Sequence, residues 1–188
     1  MSKTLEMIKN YVPTTPQEKG DRELIICAEE IFSDCLHRTN LFCHYTSSAF
    51  IVNPERTKVL GVFHNIYRSW GWVGGHADGD DDMEYVAKKE TAEETSLKNF
   101  KVIGTAPVSI DVLPVFSHFK RGSYVPAHTH LNVTYLIEAG ESEYIHIKEN
   151  ENSNIAWLSF DEFLEKCTEP HMLPVYKKII ERIKGEKL

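Results

Sequence analysis

The stretch from His128 to Ala139 constrains this chain more than any other. Leu131, Val133, Tyr135 and Ile137 alternate there with His128, His130, Asn132 and Thr134. A period of two sends the two sets to opposite faces of a strand. One face therefore needs an apolar layer packed on it. The other offers imidazole, amide and hydroxyl groups, which suit either the water-facing side of an antiparallel sheet or a binding site.

The remaining elements are read around that strand. Strand character begins near Leu41. Ser48 to Val52 and Lys58 to Phe63 flank the turn sequence Asn53-Pro54-Glu55-Arg56 and form a hairpin. Arg68 to Val73 reads as a strand with Trp70 and Trp72 on one side, broken by Gly74-Gly75. Phe100 to Phe119 is mostly strand, interrupted near Leu113-Pro114, and Arg121-Gly122-Ser123 is a turn. Ile155 to Leu158 is a short strand. Helices are expected over Lys3 to Asn10 and from Thr15-Pro16, where a hydroxyl cap, a proline at N1 and Glu18 at N3 mark a start. Leu24, Cys27, Ala28, Ile31 and Cys35 give the second helix an apolar face and an end near His37. Met83 to Thr95 contains neither Gly nor Pro and reads as a charged helix. Ser159 with Glu162 caps a helix over Phe160 to Cys167, and Pro174 starts the last one, which runs to about Lys184. Strands and helices are intermixed without regular βα alternation. The fold class is therefore α/β (α+β), layered, and not doubly wound. Residues 1–40 are expected to be an N-terminal helical extension on a domain spanning 41–188. No G-x-G-x-x-G or G-x-x-x-x-G-K-[ST] is present to bind phosphate through a glycine loop.

Bulk properties exclude some functions. The chain has 188 residues, 41% of them hydrophobic, enough for one domain with a real core. A formal charge of −7 disfavours nucleic acid, whose affinity comes from Lys and Arg neutralising phosphates. Small phosphorylated ligands stay open, because a bound cation inverts the local field. No apolar run is long enough to span a bilayer, and Met1 to Asn10 lacks a signal-peptide core. Cys27, Cys35, Cys43 and Cys167 are scattered, with no CxxC pair. Reduced thiols in a cytoplasmic protein are expected.

The densest chemistry lies between residues 74 and 97. Asp78, Asp80, Asp81, Asp82 and Glu84 precede Glu90, Glu93 and Glu94. Positions i, i+3 and i+4 share a helix face, so these three glutamates project together and repel one another. Carboxylates are the hard oxygen ligands that magnesium, calcium and manganese prefer. A solvated acidic face partnered by Lys88, Lys89 and Lys98 accounts for the same pattern.

The spacing in front of the helix separates the two readings. Asp81 follows Gly75 after five residues, and after seven more come Lys89-Glu90 and then Glu93-Glu94. This resembles the Nudix box: glycine, five residues, Glu, seven residues, Arg-Glu, an aliphatic residue, any residue, Glu-Glu, any residue, glycine, an aliphatic residue. Asp81 stands for Glu, Lys89 for Arg, Thr91 for the aliphatic residue and Ser96 for glycine. Asp81 and Lys89 keep the charges that would brace the loop of Gly74 and Gly75 against the helix, although Lys lacks the fork of Arg. Ser96 must end the helix without glycine's ease at positive φ. The resemblance runs from about Leu41 to Leu164, through Trp70 to Gly75, the box, and Glu151, Trp157 and Glu162. It implies an α-β-α sandwich with a mixed central sheet. It implies an enzyme that hydrolyses the pyrophosphate bond of a nucleoside diphosphate linked to another moiety. Glu90, Glu93 and Glu94 would hold Mg2+, or Mn2+, and water would attack phosphorus.

The family takes its general base from the box or from a late loop, which makes Glu93, Glu94 and Glu151 the catalytic candidates, with Glu149 behind Glu151. His76, Arg68, His128 and His130 are candidate substrate contacts, with Tyr67, His118, Lys120 and Arg121 beside them and His44 starting the first core strand. A small nucleotide or other diphosphate is the expected partner, with no membrane and no nucleic acid; a homodimer is compatible with such a chain. Two other functions compete. Isopentenyl diphosphate isomerase resembles Nudix proteins and carries Gly-His where Gly75-His76 stands, but it places a reactive cysteine at the position of Gly74. A metal among His44, His76 and His128 or His130 would favour that reading. A catalytically silent nucleotide sensor is the other, supported by the departures at Asp81, Lys89 and Ser96.

Overall fold

The computed structural model describes residues 2–120, 122–147 and 152–185. Its centre is a parallel pair, β1 (Cys43–Val52) and β9 (His128–Ala139), in register from Cys43 opposite Thr129 to Val52 opposite Glu138. Each of the two strands changes its outer neighbour partway along. At the end where they begin, β1 pairs with β4 (Val73–His76) and β9 with β6 (Ser109–Val115). At the other end, β9 pairs with β5 (Phe100–Ile103), and β1 meets β2 (Lys58–His64) only at Val52 opposite Val59. On its other edge β2 takes β10 (Asn152–Ser159), and at its far end β3 (Ser69–Gly71). The expected hairpin is therefore hydrogen-bonded at its root and opens to admit other strands. The result is a mixed sheet of eight strands. A separate ribbon is formed by β7 (His118–Lys120) and β8 (Ser123–Val125).

Helices cover both faces. The helix α3 (Met83–Thr95) packs on β1 and β4, with Met83, Val86, Ala87, Thr91 and Thr95 inward. The helices α4 (Phe160–Lys166) and α5 (Leu173–Gly185) close a core around Phe50, Phe163 and Tyr176. Ser159 and Glu162 form the capping box read from sequence. The helices α1 (Lys3–Asn10) and α2 (Pro16–Ile31) bring Ile8 and Ile25 against Tyr45, Ile110, Leu131 and Val133. Leu131, Val133 and Tyr135 are therefore packed, as their alternation requires.

Four local expectations change. The second helix stops at Ile31, not near His37. Residues 32–40 form turns instead, in which the Cys35 carbonyl accepts from Tyr45 N at 2.7 Å. Its apolar face is also rotated, because Leu24, Cys27 and Ile31 are exposed and Glu18 and Ile25 are buried. Glu18 is buried because Arg182 (2.6 and 2.7 Å), Tyr11 (2.7 Å) and the Thr14 N–H (3.0 Å) satisfy it. Pro114 lies inside β6, opposite Thr129. Among the described residues that strand has a ladder partner on one side only, where a proline is tolerated. Gly74 and Gly75 do not break a strand: they sit within β4 opposite Ser48 and Ser47, and the break comes two residues earlier, at Trp72.

Candidate active site

Register and alternation together build one floor. His44, Thr46 and Ser48 point the same way from β1, and His130, Asn132 and Thr134 lie opposite them on β9. His76 lies opposite Thr46 on the other side of β1. Asn132, fully buried, joins the strands: its Oδ1 accepts from Thr46 Oγ1 at 2.8 Å and Ser48 Oγ at 2.9 Å, and its Nδ2 donates to Thr134 Oγ1 at 3.0 Å. The histidines of β9 thus face neither bulk water nor the main core.

Alternation along β4 sends position 75 away from His76. A Cβ built on Gly75 would lie 2.3 Å from Glu90 Cδ and 2.5 and 2.7 Å from its carboxylate oxygens. Glycine here makes room for the glutamate of α3. At Gly74 a Cβ would lie 2.6 Å from Ser48 Oγ and 2.9 Å from the Ser47 carbonyl oxygen. Asp82 caps α3 by accepting from Tyr85 N at 3.0 Å. Ser96 ends it in the left-handed conformation at φ 61°. Thr91, where the family motif has an aliphatic residue, is buried with its hydroxyl donating to Ala87 O at 2.8 Å.

These features share a cleft of about 660 Å³. Glu90, Glu93, Glu94, Gly74, Gly75, Lys89, His76, His128 and His130 all line it. So do Tyr67, which stacks on His64, and His118 and Lys120 on the ribbon. Trp72 reaches the wall but packs edge-on against Tyr176 in the core.

Two expected roles are not assembled. Arg68 is exposed at φ 50° and is not among the lining residues. Asp81 does not brace Lys89. Its carboxylate accepts from Lys3 N at 3.1 Å and its carbonyl from Thr4 Oγ1 at 2.9 Å, so α1 holds the loop instead. Glu149, Glu151 and Arg121 lie outside the described residues.

Electrostatics divide the cleft into an acidic helix face and a neutral imidazole cluster. Burial is the main force lowering the pKa of His44, against the Asn40 carbonyl that favours its protonation. Burial, then Arg38 and His44, hold His76 down to about 3. His130 is held well below the ordinary value by burial and its three imidazole neighbours. These rings are neutral at physiological pH. Arg38 pairs through two nitrogens with Asp78 at the rim, which lowers the pKa of that carboxyl. Arg38 and Ser48 carry no local motif and were invisible in the sequence. Asn132 showed only its place two residues after His130.

The family model for the NUDIX domain matches residues 44–179. No curated protein matches. Among solved structures, a C. elegans Ap4A hydrolase in a binary complex shares 14% identity at a TM-score of 0.57, over 76% of this chain and 98% of that one. The Nudix hydrolase RenU of M. smegmatis shares 14% at 0.57, over 77% and 88%. The E. coli dihydroneopterin triphosphate pyrophosphohydrolase shares 15% at 0.55, over 73% and 92%.

Proposed function

The chain belongs to the NUDIX domain family and is a pyrophosphohydrolase; from that premise we propose that it cleaves a nucleoside diphosphate linked to another moiety, with Mg2+ or Mn2+ held by Glu90, Glu93 and Glu94. The observation that carries this reading is the seating of the Glu90 carboxylate in the space that glycine leaves at position 75. A solvated surface glutamate would need no such space. The donor set is all carboxylate, which suits a small hard cation. When bound, such an ion neutralises the diphosphate and lowers the pKa of a coordinated water.

The chain's own groups supply the rest. Glu94, half-buried on the cleft wall, is the preferred acceptor for the proton of the attacking water, with Glu93 one position before it. Glu151 is retained as the alternative acceptor. Lys89, Arg38 and Lys120 line the cleft and counter the charge of a polyphosphate. His76, His128 and His130 offer neutral nitrogens to phosphate or ribose hydroxyls. Residues 1–40 act as an extension that fixes the loop of Asp81 through Lys3 and Thr4. The position of Gly74 weighs against isomerisation, because Ser48 Oγ occupies the space that a cysteine side chain would need. No helix among the described residues is long and apolar enough to cross a membrane.

The test is product release in the presence of magnesium across dinucleoside polyphosphates including Ap4A, nucleotide sugars, dinucleotides, deoxynucleoside triphosphates, dihydroneopterin triphosphate and prenyl diphosphates. Hydrolysis of one class is expected, with Glu93→Gln and Glu94→Gln each losing a hundredfold or more of kcat, on the order of the effect of removing a general base or a metal ligand. Full activity in both variants would refute the assignment. Tight binding of one compound without turnover would support a sensor instead.

A further inference from the structure

The imidazole cluster is a different kind of site from the acidic helix face beside it. One ligand nitrogen from each of His44, His76 and His130 lies within 4.8 Å of the others. Their ring centroids are each 5.1 Å apart, and His128 lies 4.8 Å from His44 and 5.1 Å from His130. Four rings from three strands therefore converge, although their sequence positions span more than eighty residues.

Hydrogen bonding fixes which nitrogens are available. His44 Nδ1 lies 3.1 Å from the Asn40 carbonyl oxygen, so Nδ1 carries the proton and donates. Its Nε2 is then a lone-pair acceptor. That atom is fully buried, in a residue only 4% exposed, and has no hydrogen-bond partner. An imidazole whose one nitrogen is anchored to a carbonyl and whose other is bare is oriented as metal-ligating histidines are. His128 Nδ1 likewise lies 2.9 Å from the Pro126 carbonyl oxygen, but its Nε2 is engaged, 3.2 Å from His130 Nε2. Beneath the rings, Asn132 locks β1 to β9 through Thr46 and Ser48. The ligand positions are thereby set by sheet register rather than by flexible loops.

We propose that His44, His76 and His130 form a binding site for a borderline transition metal of the zinc type, separate from the glutamates of α3, with His128 as an adjacent fourth ring. Neutral imidazoles select Zn2+, Co2+, Ni2+ or Cu2+ over Mg2+. Three protein nitrogens leave one tetrahedral position open, as in catalytic rather than structural zinc sites. The three histidines line the same cleft as Glu90, Glu93 and Glu94, where an ion bound by them would be within the space open to a phosphate oxygen. Zinc–nitrogen bonds of about 2.0–2.1 Å require tetrahedral ligands to be roughly 3.3 Å apart. From separations of up to 4.8 Å, the ligand nitrogens must close by as much as about 1.5 Å.

The test is direct binding, independent of turnover. Purified protein, stripped of metals, is titrated with Co2+ in millimolar Mg2+ while visible absorption is followed, and Zn2+ is then added. One equivalent of cobalt with a visible band of low-coordinate nitrogen ligation, displaced by one equivalent of zinc, is expected. His76→Ala and His130→Ala should each weaken binding a hundredfold or more, with circular dichroism reporting whether they fold. The Glu93→Gln, Glu94→Gln double variant should retain the band. Absence of the band in the wild-type chain, its loss to magnesium, or its loss in the glutamine variant with retention in the alanine variants would each overturn the site. Such a failure leaves the glutamate-based hydrolase reading untouched, because that reading is measured by hydrolysis.

Discussion

Replacing Gly75 with alanine tests the geometry on which the hydrolase reading rests. The new Cβ would sit 2.3 Å from Glu90 Cδ, against an ordinary contact of 3.4 Å or more. The carboxylate must therefore move by about 1 Å. Backbone strain is not involved, since Gly75 is not among the glycines with positive φ. The obstacle is the far end of a flexible side chain, so the fold should lose no more than about 1–3 kcal/mol, the usual range for an overpacked site. Function should lose more. A 1 Å displacement of a positioning group costs on the order of a hundredfold in rate, which is about 3 kcal/mol at about 1.4 kcal/mol per decade. The assay is kcat/KM on the best substrate as a function of magnesium, beside thermal unfolding by circular dichroism. A folded Gly75→Ala chain should show a raised magnesium requirement and a rate about one hundredth of the parent's. Parental activity at parental magnesium would refute the claim that the cleft depends on where Glu90 sits.

Three further outcomes rest on the same structure. Glu18 is buried, which by itself would raise its pKa, but Arg182, the Thr14 N–H and Tyr11 more than offset this and hold it at about 2. Because the folded pKa is depressed, the contribution of this carboxylate to stability is present above the ordinary value of 4.5 and is lost as pH falls towards about 2. Glu18→Gln should cost about 3–5 kcal/mol at pH 7 by leaving Arg182 and Lys178 under-compensated. Urea unfolding at pH 7 and pH 3.5 should show a smaller acid loss in that variant, and an equal loss would count against the network. Ser96→Gly should stabilise the chain by about 0.5–1 kcal/mol by relieving left-handed backbone at φ 61°, with turnover unchanged; destabilisation in urea would contradict that account. Asn132→Ala should cost about 1–3 kcal/mol by leaving the Thr46 and Ser48 hydroxyls unpaired in a buried site, read by the same unfolding curves.

What the chain declares locally and what it settles only when folded differ in range. The helix α3 could be read to its end residues because the run without Gly or Pro and the spacing of Glu90, Glu93 and Glu94 are short-range signals. The same holds for the capping box of Ser159 and Glu162, and for the alternation that sorts Leu131 and Val133 from His130 and Asn132. The spacing from Gly75 to Glu94 made the family legible, and the family brought the mixed sheet with it. Nothing local could say that β9 would lie parallel to β1, because that pairing is chosen by whichever arrangement buries both apolar faces. The orientation of α2 was equally closed to inspection. Its apolar spacing pointed to Leu24 and Ile31, but the burial of Glu18 depends on Arg182, far along the chain. Likewise, Asp81 meets Lys3 rather than Lys89 because α1 packs on the loop. The glutamates were therefore fixed by the periodicity of one helix, whereas the meeting of His44, His76 and His130 required three strands to find their register.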